Sequence, residues 1–189
     1  NNLSALIGLL QIEKMKIENE SNLINIDFLN QLIGRVESLI IIHKVLTRGN
    51  WKNVNLCDLL HRIIDNSLKG MIQKNKVRLY INECNILINS DKAHHLAMIF
   101  NEIATNSVKY GSNQKAKLLV DVKIEKKNNI ANIIFKDNGA GFPEKLLKKF
   151  EGANIGMQLI KETVERNLNG SLNLKNENGA KIIIRFPID

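Results

Sequence analysis

The sequence predicts an α+β protein in two parts, an all-helical stretch over 1–50 and a mixed domain over 51–189. Three observations predict it. Apolar residues before position 49 recur every three or four places, with no proline and only Gly8 and Gly34. From Val77 onward, short alternating runs interleave with helical patterns. Between the two parts, Arg48-Gly49-Asn50-Trp51-Lys52-Asn53 breaks the periodicity and reads as a linker.

The elements follow in order. A first helix, about 3–19, carries Leu3, Leu6, Leu10 and Ile17 on one stripe, and Ser21-Asn22 marks a break or cap. A second, about 22–47, steps through Ile26, Leu29, Ile33, Val36, Ile40 and His43, with Leu32, Leu39 and Leu46 as a second stripe. Two stripes need burial on more than one side, and a helical hairpin that dimerises into a four-helix bundle supplies it. After the linker, Leu56 to Met71 is an amphipathic helix and Val77 to Ile81 a strand, with Ile86 to Ile88 a candidate for another. Lys92 to Tyr110 is a strong helix. Leu118 to Ile124 and Ile130 to Lys136 alternate as strands around Lys127-Asn128-Asn129, which suits a hairpin turn. Pro143 to Phe150 is a short polar helix or lid, and Ile155 to Leu168 a helix stopped by Asn169-Gly170. Leu172 to Leu174 and Lys181 to Phe186 close a second hairpin around Asn178-Gly179.

Composition removes several functions. The chain is 44% hydrophobic and 24% charged, an ordinary globular balance. Aromatics reach only 5%, which disfavours a base-stacking surface. The net charge of +8 comes from lysines spread along a chain that also holds 27 asparagines, which reads first as a diffuse bias, ahead of a nucleic-acid patch. No apolar run approaches the roughly 18 residues of a membrane span, and no signal segment opens the sequence. Cys57 and Cys84 are too few for a disulfide scaffold, read as structural residues, and fit a reducing, cytoplasmic setting.

Three elements carry chemistry. On the Lys92–Tyr110 helix, Leu96, Ile99, Phe100, Ile103 and Ser107 share the core face. Glu102, Thr105, Asn106 and Lys109 share the other, which groups a proton acceptor, an amide oxygen suited to a hard cation and an ammonium suited to phosphate. Taken alone, such a stripe reads first as a solvated face. Asp137-Asn138-Gly139-Ala140-Gly141-Phe142-Pro143 follows an apolar strand. Asn-Gly there could be a hairpin turn, but no strand follows it. A carboxylate at a strand end can accept a hydrogen bond from an exocyclic amine, and glycines allow close backbone approach. Gly152-Ala153-Asn154-Ile155-Gly156-Met157 leads into a helix, whose first N–H groups can face an anion, although a plain glycine-containing loop reads equally well.

The order of these elements resembles the GHKL ATP-binding fold. Asn101-Glu102-Ile103-Ala104-Thr105-Asn106-Ser107-Val108-Lys109-Tyr110 resembles its N box, Asp137-Asn138-Gly139-Ala140-Gly141 its G1 box and Asn154-Ile155-Gly156-Met157-Gln158-Leu159-Ile160 its G2 box. The tail Gly179 to Pro187 is similar to its final strand. The helical half, with Asn1-Asn2-Leu3, Arg35-Val36-Glu37-Ser38-Leu39 and Ile42-His43, resembles the dimerisation region of sensor histidine kinases, most of all the subfamily related to the HWE kinases.

The resemblance implies an ATP-dependent histidine kinase core: a dimerisation hairpin over 1–50, then a GHKL-type α/β sandwich over 51–189. The phosphoacceptor histidine is expected just upstream of residue 1, and His43, His61, His94 and His95 read as packing or surface residues. Asp137 would take the adenine amine, with Gly139 and Gly141 admitting the backbone to the nucleotide. Asn106 would hold Mg²⁺, Lys109 would neutralise phosphate, and Tyr110, Asn154, Gly156 and Met157 would complete the ATP site. Glu102 would orient or deprotonate the attacking imidazole, or a water. Implied partners are a second copy of the chain, through the N-terminal helices, and a response-regulator receiver domain, with no nucleic acid. Two departures stand out: Asn154 replaces the first glycine of the G2 box, and Ala180 replaces a hydroxyl residue after the tail glycine. The alternatives are a phosphotransfer scaffold with a degenerate nucleotide domain, another GHKL ATPase or serine kinase, and, more distantly, a basic nucleic-acid binder.

Overall fold

A computed structural model describes residues 53–71, 76–111 and 117–188. The expected helical hairpin over 1–50 lies outside the described residues. The chain divides into two compact units, Asn1–Glu37 and Ser38–Asp189, and every described residue belongs to the second.

The unit begins with strand β1 (Asn53–Asn55) and helix α1 (Leu56–Met71). Asn55 caps the helix, its Oδ1 accepting from Asp58 N at 3.1 Å. Leu59, Leu60, Ile63, Ile64 and Leu68 lie at helical spacing, are all but fully buried, and gain about 2 kcal/mol each from that burial as an upper estimate. Strand β2 (Val77–Ile81) and β3 (Leu87–Asn89) lead into helix α2 (Ser90–Gly111), capped by Asn89 Oδ1 on Lys92 N at 2.9 Å. Then come β4 (Leu118–Lys127), β5 (Ile130–Asp137), the short helix α3 (Glu144–Lys149), helix α4 (Ile155–Glu162), β6 (Ser171–Asn176) and β7 (Ala180–Pro187). The helical run after α4 relaxes into one π-type turn, Thr163–Asn167, where Leu168 N donates to Thr163 O at 3.0 Å.

Five strands form one sheet in the order β2-β4-β5-β7-β6, and β1 pairs with β3 in a separate two-stranded sheet. Only β2 and β4 run parallel in the large sheet. Buried residues alternate along β4 and β7, so one sheet face meets the helices and supplies the core. Phe100 of α2 packs against Phe135 of β5 with ring centroids 6.5 Å apart. Asn128 and Asn129 take φ of 48° and 61°, the left-handed pair that closes the two-residue hairpin β4–β5.

Cys57 and Cys84 are joined by a disulfide, Cα–Cα 5.7 Å. It ties the first turn of α1 to the loop before β3, where Asn55 Nδ2 also donates to Cys84 O at 3.1 Å. Cys57 Sγ lies 3.3 Å from Asn82 O, but a bonded sulfur carries no hydrogen, so this is a close approach only. The structural reading of the cysteines stands; the bond itself does not follow from their count, and a reducing setting does not account for it. Among the described residues no helix is long and apolar enough to cross a membrane.

Candidate functional site

Strand β5 ends at Asp137, in the middle of the sheet, opposite Val120 of β4. The carboxylate is buried and held by three donors. Gly139 N and Ala180 N donate to Oδ1 at 2.9 and 3.1 Å, and Ser107 Oγ donates to Oδ2 at 2.7 Å. Two carboxylate oxygens offer about four lone-pair positions, so one position on Oδ2 is left.

Asp137 forms part of a cavity of about 320 Å³ between α2, the loop after β5, α3 and the start of α4. Its wall is largely apolar, with Ile103, Phe142, Leu146, Met157 and Ile182 prominent. A concave apolar slot with one fixed acceptor at its floor is the recognition geometry of a flat heterocycle bearing an amine.

The glycines of the Asp137 loop act on the protein itself. A Cβ on Gly139 would stand 2.6 Å from Gly111 Cα, so this residue lets the loop touch the end of α2. Gly141, at φ 80°, lines the cavity and lies against the Asn176 side chain. That side chain in turn clamps Phe142, accepting from its N–H at 2.8 Å and donating to its carbonyl at 2.9 Å.

The polar stripe of α2 divides. Asn106 lines the cavity, and its Nδ2 is buried with no hydrogen-bond partner among the described residues. Tyr110 also lines it, 52% exposed at the mouth. Lys109 is exposed beside Tyr110, its Nζ 5.9 Å from the ring centre, and does not line the cavity. Glu102 is only 7% exposed and is absent from the cavity wall. Its Oε2 approaches the first turn of α4 so closely that a Cβ on Gly156 would stand 2.6 Å away. A carboxylate there is favoured by the helix N-terminus. The solvated-face alternative therefore fails for Glu102.

Asn154, which also lines the cavity, caps α4: its Oδ1 accepts from Met157 N at 2.8 Å. It occupies, from within the protein, one donor of the helix terminus that the sequence offered as an anion site. Ala180 contributes its N–H to Asp137 and its side chain to the wall.

Ser107 is the member that sequence reasoning missed. Its place on the core face of α2 was legible, but only the fold brings that face against the end of β5. The described histidines stay outside the cavity. His61 is exposed, and His94 Nδ1 lies 2.8 Å from Ser90 O. His95 sits 3.8 Å from Asp91, and burial lowers its pKa against the opposing pull of that carboxylate. No group of three or more His, Cys, Asp or Glu suited to a metal ion occurs among the described residues.

A layered sheet and helices around a strand-end aspartate and a lid helix define a nucleotide-binding domain of the GHKL type. The chain belongs to the family described as histidine kinase-, DNA gyrase B-, and HSP90-like ATPase, matched over residues 91–189; residues 1–71 match a second family described as histidine kinase. The two matches together make it a sensor histidine kinase core. It is 24% identical over 194 residues to sensor histidine kinase PdtaS of Mycobacterium tuberculosis, covering 100% of this chain and 37% of that one. The chain thus spans little more than a third of this curated relative. Its fold resembles the histidine kinase domain of a blue-light activated histidine kinase of Erythrobacter litoralis, with TM-score 0.75 and 16% identity over 100% of this chain and 86% of that one. It also resembles the ATP-binding domain of PrrB from Mycobacterium tuberculosis, with TM-score 0.58 and 23% identity over 72% and 96% of the two chains.

Proposed function

We propose that the protein is an ATP-dependent histidine kinase of a two-component system. It would transfer phosphate from ATP held in the domain assigned to 51–189 to the acceptor histidine expected for the helical hairpin, a residue other than His43, and pass the phosphoryl group to a receiver-domain aspartate. The carrying observation is Asp137, buried at the floor of an apolar cavity with three donors on it and one acceptor position left. An adenine amine satisfies that position.

The Asn106 carboxamide fits a magnesium nucleotide. Its Nδ2 is buried without a partner among the described residues, on the cavity wall, and the carboxamide can turn about its last bond. One orientation offers N–H to phosphate, the other an oxygen to Mg²⁺, which binds few protein ligands beside phosphate oxygens and water. Bound there, the metal would supply charge neutralisation on the phosphates. Lys109, one turn further along α2 and next to the cavity-lining Tyr110, adds a positive charge near the site. Glu102 lies beside Gly156 and off the cavity wall, so to meet the attacking imidazole its carboxylate would have to move. Asn154 must likewise release Met157 N before that N–H can face phosphate. Phosphoryl transfer depends on positioning and charge stabilisation, so this domain needs no nucleophile of its own. The remaining assignments are a homodimer through the N-terminal helices and a cytoplasmic setting, where ATP is found and where reduction would hold Cys57 and Cys84 as a neighbouring thiol pair.

The test is the chemistry of the phosphorylated product. The full-length protein incubated with Mg-ATP labelled at the γ-phosphate is expected to carry label that acid removes and base does not, as phosphohistidine does. Acid-stable label on serine would point instead to a serine kinase of the same fold.

A further inference from the structure

Resting on the adenine-nucleotide reading, we propose that Ser107 is a specificity-determining positioning residue that makes the cavity select 6-amino over 6-oxo purines. A hydroxyl inside a helix ordinarily bonds back to the carbonyl four residues earlier. Thr105 does so, at 2.8 Å to Asn101 O. Ser107 instead directs its hydroxyl across to Asp137 Oδ2 at 2.7 Å, while lining the cavity and remaining buried.

A carboxylate oxygen can only accept, so the Ser107 hydrogen is committed and its oxygen keeps lone pairs alone. Backbone N–H groups of Gly139 and Ala180 fix the other oxygen. The carboxylate is thereby held on both sides. The floor presents two neighbouring acceptors, the open position on Asp137 Oδ2 and the Ser107 Oγ. A 6-amino purine brings two N–H donors to this edge. A 6-oxo purine puts an acceptor at C6, facing two more, and keeps a donor at N1 alone, inside apolar walls where a mismatched polar group is costly.

The experiment compares dissociation constants of ATP and inosine triphosphate for the whole chain, by competition against a fluorescent ATP analogue. Ser107→Ala is expected to weaken ATP about tenfold and inosine triphosphate much less, so the ratio between them falls. Ser107→Thr, which keeps the hydroxyl, should restore the ratio. Should Ser107→Ala not fold, Ser107→Cys preserves volume with a weak donor and should still lower the ratio. An unchanged ratio in both weakened variants, whether ATP affinity is kept or both nucleotides lose equally, overturns the assignment. That result differs from failure of the nucleotide reading itself, in which the unaltered chain binds neither compound.

Discussion

Asp137 concentrates the account at the scale of one residue, because it joins sheet, helix and tail in three hydrogen bonds. Asp137→Asn is nearly isosteric. Its amide oxygen can take the two backbone donors, and its nitrogen can donate to Ser107, so the fold should hold. The remaining N–H would then face the cavity where a base amine also donates. Saturating ATP is therefore expected to raise the melting temperature of the unaltered chain and leave that of Asp137→Asn where it was, while the two match without nucleotide. Asp137, its loop and Asn106 were legible in the sequence, because a strand-end carboxylate followed by closely spaced glycines is a local pattern. Ser107 and Glu102 were legible only as positions on a helix. What each touches, Asp137 and the first turn of α4, is fixed by elements 30 and some 50 residues away, which no helical projection reports.

At the scale of elements, the β6–β7 turn secures the back of the site. Gly179 sits at φ 143°, and a Cβ there would meet the Asp137 carbonyl oxygen. Gly179→Ala should cost about 2–3 kcal/mol in a denaturant titration and displace Ala180 N from Asp137. Beside it, Glu177 bonds to Lys136 and Lys181, which bring its carboxyl down to about 2 from an ordinary 4.5. A depressed carboxyl stabilises the fold above its unfolded value and loses that contribution as pH falls from about 4.5 to about 2. Glu177→Gln should flatten stability across that window, and added salt should shrink the difference because the group is exposed. The hairpins and long helices were legible from periodicity. β1 was not: three residues pair only because β3 runs beside them. The asparagines read as turn or stop residues at 128, 129, 169 and 178 do take left-handed positions, while Asn55, Asn89 and Asn154 cap α1, α2 and α4.

At the scale of the molecule, two features hold the described domain together: the core between sheet and helices, and the Cys57–Cys84 link. The link spans 27 residues, and closing a loop of that size contributes about 3–4 kcal/mol in the chain-entropy picture. Reduction of the bonded form should therefore lower the denaturation midpoint, and Cys57→Ser should abolish that sensitivity. The pairing was invisible in the sequence, since two cysteines 27 apart say nothing of the fold between them. The architecture was visible, because box order and strand pattern follow the layers of the domain. On this reading the cavity beside Asp137 is built for a magnesium nucleotide. A calorimetric titration of the folded chain with Mg-ATP tests it most directly: saturable heat with one nucleotide per chain is predicted, and a folded protein giving no binding heat over a range of temperatures would contradict it.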